Sequence, residues 1–155
     1  MLAMGTAARA QTSPPPATAT HRETVVTTRA SGTFEVKMNP QPADPAWLGR
    51  FSFDKQFHGG LEGTSQGVML AAGTPAAGSG GYVAMEQVTG ALNGRSGTFV
   101  LQHNGTMSPG SMTLSVTVVP GSGTGELAGL AGTFAIVIAD GKHSYDFDYT
   151  LPDAY

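Results

Sequence analysis

Three short turns constrain this chain more than any other feature in it. Leu92-Asn93-Gly94-Arg95 and Ala139-Asp140-Gly141-Lys142 set an Asn-Gly and an Asp-Gly pair between segments of alternating polarity, and His58-Gly59-Gly60-Leu61 adds a Gly-Gly pair. Such dipeptides take the positive φ that a two-residue β-hairpin demands. A hairpin of known loop length has a known register, and register decides which side chains share a face.

Eight strands are expected: Gly32–Met38, Leu48–Phe57, Leu61–Leu70, Gly80–Ala91, Arg95–Asn104, Ser111–Val119, Thr124–Ala139 and Lys142–Leu151. Asn39–Pro45 is too rich in proline for a central strand. Gly125, Gly129 and Gly132 imply a bulge or bend in the long seventh strand. No segment sustains a helical period with caps. Consecutive hairpins of this number favour an all-β, eight-stranded antiparallel barrel, because closure removes exposed edges. The barrel domain is expected over residues 31–152. Residues 1–30 read as a disordered leader with the Pro-rich linker Pro14-Pro15-Pro16. Ala8-Arg9-Ala10 also suits the end of a signal peptide, so the leader leaves cytoplasmic and periplasmic or secreted placements both open.

The turns then sort the side chains. Around Asp140-Gly141, Ile138 pairs with His143, Ile136 with Tyr145 and Phe134 with Phe147, an apolar face. Around Asn93-Gly94, Val88 pairs with Phe99, Glu86 with Leu101 and Ala84 with His103, and Tyr82 continues the face. Around Gly59-Gly60, a two-residue loop pairs Phe57 with Glu62, Lys55 with Thr64, Phe53 with Gln66 and Phe51 with Val68. Lys55, Glu62, Gln66, Glu86 and His103 are thus expected inside among aromatics, joined by Tyr82, His143, Tyr145 and Tyr149. A polar group placed inside a barrel has to be paired, hydrated or engaged with a ligand.

Other chemistry is narrowed by composition. The chain has 155 residues, a net charge of −3 and only 12% charged residues, so it lacks the clustered basic surface that nucleic acid requires. It has no cysteine, which removes thiolate ligands, disulfides and a Cys nucleophile. His21, His58, His103 and His143 show no metal-ligand spacing, and Gly121, Gly123 and Gly125 do not form a nucleotide loop. No metal or cofactor is expected, and no apolar run is long enough to cross a membrane as a helix. Gly63-Thr64-Ser65-Gln66-Gly67 matches the G-x-S-x-G pattern but lies inside a strand, with no helix after it.

The segments DKQFHGGLEGTSQG (residues 54–67), GYVAMEQVTGALNGRSGTFVLQHNGTM (81–107), SGTGELAGLAGTF (122–134) and DGKHSYDFDYTLP (140–152) resemble a bacterial family of small single-domain proteins of unknown function. The resemblance runs from Ser31 to Pro152 and implies a barrel similar to plant allene oxide cyclase. That enzyme cyclises an unstable fatty-acid epoxide in an apolar cavity with a glutamate steering charge. Its sequence motifs are absent here, so none of its residues carries over, and a shared fold does not fix function.

Three readings follow. The first is binding of a small amphipathic or apolar molecule in the barrel, oriented by Lys55, Glu62, Gln66, Tyr82, His143 and Tyr145 with Glu86 and His103. The second is a cofactor-independent cyclase or isomerase with Glu86 as base and His103 tuning it. The third is a filled structural barrel whose outer surface makes homo-oligomer contacts. Whether the chain is an enzyme stays open at this point.

Overall fold

The computed structural model describes residues 25–153. They form a closed antiparallel barrel in strict sequence order: β1 Thr28–Gln41, β2 Gly49–Gly59, β3 Leu61–Thr74, β4 Ser79–Leu92, β5 Arg95–Ser108, β6 Ser111–Val118, β7 Ala131–Ala139 and β8 Lys142–Thr150. The leader expected over residues 1–30 falls mostly outside the described residues, and β1 begins within it, at Thr28.

Two turns behave as their sequences require. Asn93 and Gly94 have φ of 46° and 85°, and Asp140 and Gly141 have 52° and 72°. The resulting registers pair Glu86 with Leu101, Ala84 with His103 and Ile136 with Tyr145.

The third turn differs. Gly60 donates its N–H to Ser31 O (3.0 Å) and accepts from Asn93 N–H (2.7 Å), so it bonds to β1 and to the β4–β5 turn instead of closing a two-residue loop. Gly59 takes a φ of 109° and donates to Glu62 Oε1 at 2.7 Å. Phe57 therefore faces Gly63, Lys55 faces Ser65 and Phe53 faces Gly67. A shift of one residue turns every β3 side chain to the other face. Glu62, Thr64 and Gln66, expected inside, lie exposed on the outer wall, and Ser65, expected outside, is buried.

Two further corrections concern strand limits. The segment expected as one strand over Thr124–Ala139 instead begins as a loop with a single helical turn, Gly125–Leu127, because Gly125 and Gly129 adopt left-handed φ of 59° and 81°. Its side chains take the place of a ladder along β5: Ser96, Thr98 and Val100 N–H groups donate to Glu126 Oε2, Thr124 Oγ1 and Ser122 Oγ. At the other limit, Pro40 lies within β1, beyond the last β8 pair at Phe34, where only β2 runs alongside.

The barrel is filled at one end and open at the other. Leu61, Leu92, Leu127 and Leu130 plug the filled end over Phe57, Phe99 and Phe147. Tyr145 ties this end together, accepting from Leu61 N–H (2.9 Å) and reaching His58 O (3.0 Å). At the open end β3, with β4 paired to it, runs past the start of β2 as far as Thr74 and Ser79, and side chains that point inward meet solvent. Ile138, expected in the core, is 64% exposed there, and His143 is half-buried. β6 and β7 meet at a single registered pair, Thr117 and Thr133, so the wall is loosest on the side of this opening.

Candidate functional site

Midway along the barrel the interior turns from apolar to charged. Glu86 is fully buried, and three side chains converge on its carboxylate. Lys55 Nζ donates to Oε2 at 2.9 Å, His103 Nε2 to the same oxygen at 2.7 Å, and Ser65 Oγ to Oε1 at 2.5 Å. These residues come from β2, β5 and β3, around Glu86 on β4. Lys55 reaches Glu86 across the whole width of β3 because β3 presents only Ser65 and Gly67 beneath it. The ammonium also lies 4.9, 5.2 and 5.7 Å from the ring centres of Phe34, Phe53 and Phe57, an aromatic cage favourable to a cation.

Burial would push the Glu86 carboxyl up. The hydrogen bond from His103, the charge of Lys55 and the bonds from Ser65 and Lys55 outweigh it and hold the group below its ordinary 4.5. A carboxyl depressed in the folded state stabilises the fold above its unfolded value, and that contribution is lost as pH falls through the folded value. Stability measured by denaturant from neutral pH down to about pH 3 is therefore expected to decline below 4.5. The double variant Lys55→Met/Glu86→Gln should lack this component of the decline.

Above the cluster lies a chamber of about 160 Å³ with Lys55, Tyr82 and His103 at its floor and Met38, Phe53, Met69, Leu114 and Ile136 among its walls. Two aromatic rings bordering it lie flat because the directly opposed residue is glycine: Phe53 over Gly67 and Tyr82 over Gly105. Both rings flank His103, at 6.3 and 6.2 Å between centres. Through Met69, Tyr82 and Leu114 the chamber continues into an apolar trough of about 550 Å³, bounded by Trp47, Phe51, Met107 and Met112. Tyr82 Oη stands 3.4 Å from His103 Nδ1. Burial, with Glu86 nearby, raises the Tyr82 hydroxyl above 10.0 and keeps it protonated.

A family model described as a protein of unknown function (DUF3224) matches residues 30–149. The chain belongs to this family. A DUF3224 protein of unknown function from Shewanella oneidensis MR-1, known from its crystal structure, is 50% identical, with a TM-score of 0.78 over 83% of this chain and 100% of that one. No curated protein matches the chain.

Within this DUF3224 barrel, the residues read from the sequence separate into three groups. Lys55, Glu86, His103 and Tyr82 come together, and His143 lies at the chamber wall. Glu62 and Gln66 stand on the outer wall, where Glu62 caps Gly59. Tyr145 is inside, but its hydroxyl is taken up by the main chain at Leu61 and His58 and borders no part of the chamber. Ser65 is the residue that sequence reasoning missed. Its signal was size: Gly63, Ser65 and Gly67 are the small partners that the large inward Phe57, Lys55 and Phe53 require.

Glu86 itself has no path to a ligand, since both of its oxygens are occupied and Lys55 and His103 cover it. Its chemical effect passes through them. Among the described residues no group of His, Asp and Glu converges as a metal site, and no helix is long and apolar enough to cross a membrane.

Proposed function

We infer that this protein binds a small amphipathic molecule at the open end of the barrel. Its polar head would rest on the floor formed by Lys55, His103 and Tyr82, and its apolar body would lie against Met69, Leu114 and the Trp47 trough. The observation that carries this reading is the chamber itself, with apolar walls and a few convergent polar atoms at the base, the common construction of small-molecule sites. Lys55 and Glu86 cancel each other's charge, so the floor suits a neutral hydrogen-bonding head better than a second ion. A wholly filled structural barrel accounts for the plugged end and leaves the chamber unexplained.

The test uses prodan, a neutral naphthyl ketone whose emission moves to shorter wavelength in apolar surroundings. Trp47 is the only tryptophan and sits at the trough. Saturable blue-shifted emission with parallel quenching of Trp47 is the expected result. Prodan emission unchanged from that in buffer would overturn the reading.

A further inference from the structure

We propose that the chamber is a proton-transfer site, in which His103 Nδ1 acts as the base and the Tyr82 hydroxyl as the hydrogen-bond donor toward an enolisable ketone with an apolar body. This rests on the binding reading above, because it uses the same chamber.

Glu86 fixes the state of the base. A carboxylate only accepts hydrogen bonds, so the hydrogen of neutral His103 sits on Nε2, 2.7 Å from Glu86 Oε2. The tautomer is thereby set, and Nδ1 presents its lone pair. Across from it stands Tyr82 Oη, and the 3.4 Å separation is long for a strong hydrogen bond, so a ligand oxygen can replace it as the partner of the hydroxyl. The titratable groups facing His103 are Glu86 and Tyr82 on β4 and Lys55 on β2, with His143 of β8 on the same chamber. Lys55 is matched by Glu86 and held in its phenylalanine cage, so it steadies the carboxylate and leaves the base role to His103.

The chemistry balances without an outside reagent. Nδ1 takes the proton from the carbon beside the carbonyl. The C–H pair becomes a C=C bond, and the C=O pair moves onto oxygen, where the Tyr82 O–H holds the enolate. The imidazolium formed lies against the Glu86 charge, which stabilises it. The proton then returns to carbon, giving exchange at the original position or, in an unsaturated ketone, migration of the double bond. His103 and Tyr82 are the catalytic residues of this scheme, and Glu86 and Ser65 are positioning residues. A neutral-pH hydroxyl donor beside a base is the pairing that enolisation requires.

The experiment follows loss of the methylene signal of 1-phenylpropan-2-one in D2O by NMR, with its binding read separately as displacement of prodan. We expect displacement together with exchange about 10²–10³-fold faster than in buffer. The rate should fall where Tyr82 ionises, above 10.0. At ketone concentrations that saturate each protein, as read by prodan displacement, His103→Gln should abolish the acceleration and Tyr82→Phe should reduce it by about tenfold or more. Glu86→Gln keeps an acceptor for Nε2–H but removes the charge that stabilises the imidazolium formed in the step, so exchange should slow while the ketone still displaces prodan. Displacement without accelerated exchange would overturn the proposal and leave the binding reading standing. Undiminished exchange in His103→Gln would also overturn it. Failure of both the ketone and prodan to bind would overturn the two together.

Discussion

Replacing Lys55 by Met is expected to lower the unfolding free energy by about 3–5 kcal/mol. Its side chain is only 6% exposed, and its ammonium lies 2.9 Å from the carboxylate of the wholly buried Glu86 side chain. Removing the cation strands that carboxylate in an apolar interior. Glu86→Gln should cost a similar amount for the converse reason, since it leaves the ammonium among three phenylalanine rings without its anion. The double variant removes both charges, and the amide introduced by Glu86→Gln can still accept from His103. It should therefore be more stable than either single variant, with a positive coupling in the double-mutant cycle. Urea denaturation of the four proteins measures this. Single losses within about 0.5 kcal/mol of zero, or strict additivity, would mean that the cluster is solvated and that the chamber has no buried ionic floor.

Gly67→Val is expected to reduce prodan affinity by at least about tenfold, or ~1.4 kcal/mol. Any Cβ at this position overlaps the ring of Phe53, which lies directly on the glycine. Here φ does not demand glycine, and the need is for space alone. The displaced ring has to leave the wall, and the chamber is where there is room for it. The stability cost should be about 1–3 kcal/mol, as for other overpacked sites, so the variant should still fold and its affinity can be measured. Unaltered affinity in a folded Gly67→Val protein would place prodan elsewhere on the molecule.

The architecture and the shared inward face of Glu86 and His103 were legible in the sequence for one reason. Asn-Gly and Asp-Gly turns leave little freedom in loop length, so Glu86 and His103 could be set on one face and Phe134 with Phe147 on another. Gly-Gly carries less information. Gly59 and Gly60 accept several backbone conformations, and here Gly60 bonds to Ser31 and Asn93 on adjacent elements, an arrangement that no local pattern encodes. That one-residue difference moved Glu62 and Gln66 outward and brought Ser65 in. Lys55 was placed inside correctly because its neighbours Phe53 and Phe57 set the face of β2 independently of β3. Its partner was unforeseeable from hairpin pairing, since β2 and β4 are not adjacent. The open end was also hidden. It arises from unequal strand lengths around the barrel, with β3 and β4 running on to Thr74 and Ser79 while β8 starts only at Lys142.

The central claim is that a ligand's polar head sits on the Lys55–His103–Tyr82 floor. A crystal structure of the prodan complex tests it most directly. The expected result is the carbonyl oxygen within hydrogen-bonding distance of Tyr82 Oη or Lys55 Nζ and the naphthyl ring between Met69 and Leu114. Prodan lying instead on the outer wall over Val68, Val83 and Met85, which are exposed there, with the chamber unchanged, would contradict it.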